Sequence, residues 1–389
     1  MRNSDLPPSP LSRRGLLAAA AGLLLVRPAP AAADVGRAVA DTVKKFDVSD
    51  STPGVAVGVY QPGKISYTGG FGRASLTKAG RITAATRFEL ASLSKPFTAL
   101  AVLALSDKGK LSTAAPARRY LPELPDYTPG QPITVLHLLR HTSGLPDYMD
   151  LTDVGQKNKK YWVNEDYVPE FARQRKKFPH RFKPGEKFEY NNSNYMLLAT
   201  IAARVAKKPF ASVLREHVFA RAKMTSAFVY DSQDEVRRPP PVAVGYTPEK
   251  GKKPWRESWG APPDRTETEL AVGDGSVFAS VDDLLLWDRA LRAGSLLKAA
   301  TMREALRPST TKDGKTNDYG LGWRLVTGAG GKARAYWHKG VWRGFNALYY
   351  RDLAKDRSCV VLSNRGDFRD RMMDFYKALD RALDGAARP

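Results

Sequence analysis

Ser92 and Lys95 stand three residues apart in "FELASLSKPFTAL", residues 88–100. On a helix that spacing places both side chains on one face, about 5–6 Å apart at Cβ. A serine hydroxyl is a weak nucleophile until a base takes its proton, and an amine held beside it can assist. Pro96 is tolerated only in a first helical turn, so the helix is expected to begin just before it. Its N-terminal N–H groups would favour negative charge developing near Ser92. The tetrad also fits a plainer reading, an N-cap serine followed by a solvated lysine. Ser94, between the two, faces another side of the helix and is read as structural.

The flanking sequence shows what would position this pair. Val35, Val39, Val43 and Phe46 have helical spacing, and two β-rich runs around Pro62-Gly63 form a hairpin. From Tyr319 the β signals return in "GLGWRLV", "RAYWHKG", "FNALYYRD" and "SCVVLSN", and "RDRMMDFYKALDRALD" closes with a helix. Between these ends lie the apolar helical stretches "ITVLHLLRH", "NYMLLATIAARVAKKPFASVLREHVF" and "VDDLLLWDRALRAG", joined by proline-rich loops such as "RRPPPVAVGYTPEKGKKPWRESWGAPP". The fold class is α/β. Segments 34–110 and 306–389 are expected to make one sheet domain, with a mostly helical domain, 111–305, inserted between them and the active site where the two meet.

Composition limits the alternatives. The chain has 389 residues, of which 42% are hydrophobic, enough for one or two full cores. Residues 1–33 read as a cleavable signal peptide: Arg13-Arg14, a 12-residue apolar run from Gly15 to Val26, and Ala31-Ala32-Ala33 as the cleavage site. A membrane span needs about 20 apolar residues, so no permanent anchor is expected. The paired arginines resemble a twin-arginine address, with an ordinary Sec signal as the second reading. An exported protein, periplasmic or extracellular, is the expectation. Cys359, the single cysteine, lies in an apolar strand-like run and reads as a core residue.

The net charge is +22; residues 1–33 hold four Arg and one Asp, so +19 belongs to 34–389. Residues 157–187 alone carry ten Lys or Arg against four acids. Such an excess favours association with anionic envelope polymers. No zinc-finger spacing and no RNA-binding aromatic signature is present, which leaves nucleic acid the weaker partner.

Several motifs together resemble the serine β-lactamase and penicillin-binding protein superfamily, in the branch of class C β-lactamases, D-Ala-D-Ala carboxypeptidases and related esterases. They are "ASLSKPFTAL", "LLRHTSGLP", "KPGEKFEYNNSNYMLL", "GDGSVFASVDDLLLW", "WHKGVWRGF" and "VVLSN", in the order that branch has them and over nearly all of 34–389. The resemblance implies an antiparallel sheet flanked by helices with an inserted helical domain. It implies that Ser92 is the nucleophile and Lys95 its assisting base. Tyr190, in Tyr190-Asn191-Asn192, would exchange protons with Ser92 and the leaving group, while Asn192 binds the substrate amide. A phenol titrates near 10 when unperturbed, so neighbouring cations are needed for that role.

His338-Lys339-Gly340 matches the third motif, in which His338, Lys339 and Gly340 would contact substrate and Gly340 would admit its backbone. The backbone N–H groups of Ser92 and Val341 would hold the oxyanion. Lys339 stands where a small hydroxyl residue is common, and Lys339 or Arg343 could bind a substrate carboxylate in its place. Trp337 and Trp342 could line the cleft or pack. No cofactor and no metal is called for: His137 and His141 are four apart, but H-E-x-x-H and a third ligand are lacking. The expected activity is a D-Ala-D-Ala carboxypeptidase-like peptidase, with β-lactamase or carboxylesterase as alternatives on peptide, β-lactam or ester substrates. The competing class is a non-catalytic, basic envelope-binding protein.

Overall fold

The computed structural model describes residues 32–151, 162–231, 242–249, 252–259 and 270–386. Of the segment read as a signal peptide, residues 1–31 lie outside that part, while Ala32 and Ala33 open helix α1 (Ala32–Lys44). Val35, Val39 and Val43 form its buried face, as their spacing predicts. No described helix is long and apolar enough to cross a membrane.

The β-rich ends of the chain meet in a six-stranded antiparallel sheet. Its strands are β1 (Val55–Gln61), β2 (Lys64–Phe71), β3 (Arg324–Thr327), β4 (Ala333–Trp342), β5 (Phe345–Asp352) and β6 (Arg357–Ser363), in spatial order β3-β4-β5-β6-β1-β2. The seam between the two ends is β1 against β6, with Val55 opposite Ser363. Further helices are α2 (Lys95–Asp107), α3 (Asn192–Ala206), α4 (Val281–Arg292) and α5 (Phe368–Ala386).

Strand alternation sorts the side chains between two cores. Val55, Val57, Val59, Leu348 and Val361 pack with α1 and α5. Ala56, Ala347, Val360 and Leu362 join the larger core with α2, α3 and α4. Helix α2 is buried on nearly every side, Phe97 to Leu105, which marks a core helix rather than an amphipathic one. Phe97 stacks on Trp287 of α4 with centroids 4.3 Å apart.

Three features depart from the sequence reading. Helix α4 lies in the part assigned to the helical insert, yet it packs on β1 and β6. Gly58 permits this, because a Cβ there would fall 2.5 Å from Val281 Cγ1. The proline-rich loop contains a two-stranded ribbon, Gly245–Glu249 against Lys252–Trp259. Pro248 and Pro254 argue against a strand, but a ribbon of two is all edge and tolerates the missing N–H. The long helical stretch after Tyr190 breaks at Lys207, with φ +52, just before Pro209, since proline cannot continue a helix interior.

Candidate active site

Ser92 lies in one 3-10 turn, Ala91–Ser94, that runs directly into α2 with Pro96 in its first turn. The short strand Val277–Ala279 anchors this turn: Leu90 N–H donates to the Val277 carbonyl at 2.8 Å, and Val277 N–H donates to Ser94 Oγ at 3.2 Å. Ser94 therefore has the structural place expected of it. Ala91 adopts φ +48, a state costing a non-glycine residue about 1–2 kcal/mol. Strain of this kind concentrates where geometry serves a site.

Lys95 is fully buried and directs its ammonium at three acceptors. Nζ donates to Ser92 Oγ at 3.2 Å, to Asn192 Oδ1 at 2.9 Å and to the Asp274 carbonyl at 3.0 Å. An ammonium has three donors and no acceptor, so in this state Lys95 cannot also receive the Ser92 proton. It holds the hydroxyl in place and supplies charge.

Asn192 opens α3 and is clamped by Asp147, whose Oδ2 accepts from the Asn192 N–H at 3.0 Å and from Nδ2 at 3.2 Å. The clamp turns the amide so that its carbonyl faces Lys95. Asn191 caps the same helix, its side-chain oxygen accepting from Ser193 N–H at 2.8 Å.

Tyr190 lies between charged and aromatic neighbours. Lys95 Nζ is 4.9 Å and Arg324 Cζ 5.3 Å from its ring centroid, and the His141 ring stacks at 4.4 Å. His141 Nδ1 accepts from the Asn191 N–H at 3.1 Å, which leaves its proton on Nε2. Burial first, and then the charge of Lys95, hold this imidazole well below its usual range. His137 serves elsewhere, its Nδ1 accepting from the Thr134 N–H at a helix start.

The third motif behaves differently from expectation. His338 is buried, its Nδ1 bonded to the Lys339 carbonyl at 2.8 Å and its Nε2 to the Tyr319 hydroxyl at 3.3 Å. Burial and the charges of Arg324 and Lys95 keep it neutral. It borders Tyr190 at 6.2 Å between ring centroids and does not line the cavity. Lys339 is opposite Leu348 and shares the β4 face of Trp337, which packs toward α1 and α5. Lys339 is not among the residues that line the cavity over Ser92.

Gly340 stands where β4 and the Ser92 turn approach closely. A Cβ at Gly340 would stand 1.8 Å from the Leu90 carbonyl oxygen and 2.9 Å from Leu93 N. The missing side chain lets β4 close on the Ser92 turn. Gly340→Ala is expected to push that turn outward, costing about 1–3 kcal/mol of stability and about 100-fold in kcat/KM. Thermal melting and steady-state kinetics on one sample check both effects.

A cavity of about 390 Å³ opens over Ser92, lined by Asn192, Val341 and Trp342 as expected and by Tyr148 and Met149 in addition. Glu89 and Asp274 put acidic groups on its wall, and Arg343 and Arg369 put basic ones there. Trp337 instead stacks near Tyr350, with centroids 6.5 Å apart. Beyond Trp337, β4 has outrun its pairing with β3 and runs along the Ser92 turn, so backbone donors of strand and turn border one space. Asp147, Asp274, Arg324 and Arg369 escaped the sequence reading. Asp147 directly follows "LLRHTSGLP" and Asp274 lies within "GDGSVFASVDDLLLW", which are the available signals.

Comparison with known proteins agrees with this architecture. Residues 39–383 match the family model described as Beta-lactamase. A penicillin-binding protein of Bacillus subtilis (strain 168) is 32% identical over 329 residues, covering 83% of this chain and 70% of that one. A D-aminopeptidase of Gluconobacter oxydans (strain 621H) is 27% identical over 318 residues, covering 80% and 56% respectively. Among solved structures, a penicillin binding protein from Bacillus halodurans overlays with TM-score 0.72 at 24% identity, over 88% of this chain and 98% of that one. A D-amino acid amidase from Ochrobactrum anthropi SV3 overlays with TM-score 0.70 at 22% identity, over 91% and 100%. At these identities the overlays establish the fold, the β-lactamase/transpeptidase-like arrangement of an antiparallel sheet flanked by helices.

Proposed function

The chain belongs to the Beta-lactamase family of serine hydrolases, and from that premise we propose an exported D-Ala-D-Ala carboxypeptidase-like peptidase working through a Ser92 acyl-enzyme. The observation that carries the reading is the convergence on Ser92: Lys95 Nζ donates to its Oγ, to Asn192 and to the Asp274 carbonyl. With the Lys95 protons committed, the Ser92 proton passes to Tyr190, acting in its phenolate form, as Oγ bonds to the substrate carbonyl carbon. The Ser92 and Val341 N–H groups receive the developing oxyanion. Tyr190 returns the proton to the departing amine, the C–N bond breaks, and water releases the acyl group by the same steps in reverse.

Peptides ending in D-amino acids rank first because the names of two relatives, a penicillin-binding protein and a D-aminopeptidase, point to penicillin binding and D-peptides. Arg343 and Arg369 on the cavity wall suit a terminal carboxylate, the part first considered for Lys339. The basic, apolar and small-residue sequence of residues 1–33 supports export, and the +22 charge supports association with anionic envelope polymers.

Parallel turnover of an acyl-D-Ala-D-Ala peptide, a p-nitrophenyl ester and nitrocefin tests the reading. Release of D-alanine is expected to have the highest kcat/KM of the three. Faster nitrocefin or ester turnover would reassign the substrate within the family. No turnover of any substrate, together with salt-sensitive peptidoglycan binding, would favour a non-catalytic envelope protein.

A further inference from the structure

The side-chain amide of Asn192 is held at both ends. Its oxygen accepts from Lys95 Nζ at 2.9 Å. Its nitrogen carries two N–H donors, and Nδ2 lies 3.2 Å from Asp147 Oδ2 and 3.5 Å from Met149 Sδ. Among the described residues these two acceptors meet the amide protons, and they differ in kind. A carboxylate oxygen makes a charge-assisted bond, whereas a thioether sulfur is a weak acceptor. The bond to Met149 is therefore the one that can be exchanged at little cost.

Asp147 and Met149 reach Asn192 from one turn. Asp147 caps the 3-10 turn Tyr148–Asp150, its Oδ1 accepting from the Met149 N–H at 3.1 Å while its Oδ2 takes the backbone and side-chain N–H of Asn192. The turn is strapped to the start of α3: Tyr148 N–H donates to Ser193 Oγ at 2.7 Å, and that hydroxyl donates to the Pro146 carbonyl at 2.7 Å. Met149 borders the cavity over Ser92 together with Asn192 and is 44% exposed, one of three large apolar side chains so exposed among the described residues. An apolar side chain left in water on that wall gains from being covered when a ligand enters.

We propose that Met149 Sδ holds the place of a substrate carbonyl oxygen on the Asn192 amide, and that Asp147 is a positioning residue that keeps the other amide proton away from substrate. An acylamino substrate brings a carbonyl oxygen to the N–H that faces Met149 and displaces the sulfur. Asp147 and Lys95 keep their bonds to the amide, so the bond exchanged is the weak one. A simple acetate ester has no carbonyl besides the one attacked and gains nothing there. Asp147 and Met149 thus set the preference for acylamino substrates over plain esters. The proposal rests on the reading of Asn192 as the group that binds the substrate amide.

Steady-state kinetics on an acyl-D-Ala-D-Ala peptide and on p-nitrophenyl acetate, run in parallel, test the proposal. In Met149→Leu, a swap of similar volume, the peptide KM is expected to fall about threefold, because no sulfur competes for the N–H. In Asp147→Ala the ratio of peptide to ester kcat/KM is expected to fall about tenfold. Asp147→Asn should restore most of that ratio, since its amide oxygen can still accept from Asn192. A peptide KM unchanged or raised in Met149→Leu overturns the proposal, as does an equal loss on both substrates in Asp147→Ala. Should Asp147→Ala not fold, Met149→Leu decides. If wild type turns over neither substrate, the functional reading falls, and nitrogen-15 NMR of the Asn192 side-chain amide still decides the clasp. One proton signal is expected to move in Met149→Leu and the other in Asp147→Asn; signals unmoved in both variants overturn it.

Discussion

Ser92→Ala is expected to abolish covalent labelling by a fluorescent penicillin or a fluorophosphonate and to lower kcat by about a million-fold, the scale seen when a serine hydrolase loses its nucleophile. The size of the effect follows from the geometry. Ser92 is the hydroxyl that meets the Lys95 ammonium and opens on the cavity, whereas Ser94 is spent on the Val277 N–H. Of the other hydroxyls on the cavity, Ser276 donates to the Ala271 carbonyl and Tyr148 to the Asp274 carboxylate. The fold should survive, because Lys95 keeps Asn192 and the Asp274 carbonyl as acceptors and the turn keeps its bonds to Val277. A melting temperature within a few degrees of wild type is therefore expected alongside the lost labelling. Equal labelling of variant and wild type would remove the acyl-enzyme mechanism.

Tyr190→Phe is expected to reduce kcat by about 1000-fold with little change in KM, within the range for loss of a general acid–base group. The substitution removes one oxygen and leaves the ring. The tilted ring contact with His141 at 4.4 Å and the contacts with Lys95 and Arg324 can persist, so the loss reads the hydroxyl rather than the packing. A kcat within tenfold of wild type would return the base role to a neutral Lys95. The present contacts oppose that alternative, since all three Lys95 donors are occupied and Ser92 Oγ is on the accepting side. Pre-steady-state measurement of acylation separates the two, because a base acts before the acyl-enzyme forms.

The features legible from sequence were those that depend on neighbours along the chain. Ser92 and Lys95 could be paired because three residues is nearly one helical turn, and Pro96 marked where the turn begins. The hairpin at Pro62-Gly63, the heptad-like face of α1 and the strands from Arg324 to Ser363 follow from the two periods of local structure. Family motifs added Tyr190 and Asn192, and the structure brings both to Lys95.

What only the tertiary structure decided are contacts between residues far apart in sequence. Lys95 meets Asn192 across 97 residues and the Asp274 carbonyl across 179, and no local pattern encodes which acceptors an amine will find. Arg324, at the start of β3, meets the ring of Tyr190 from far along the chain. In the third motif, alternation could be expected along β4, but not which face would meet the cavity. The docking of β4 on the Ser92 turn settled that, leaving no room for a side chain at Gly340. Sequence thus determined the pairing of Ser92 with Lys95 and the helix that carries it, where one turn of backbone suffices. The cations around Tyr190 were decided by packing, because electrostatic neighbours are set by distance in space and not by distance along the chain.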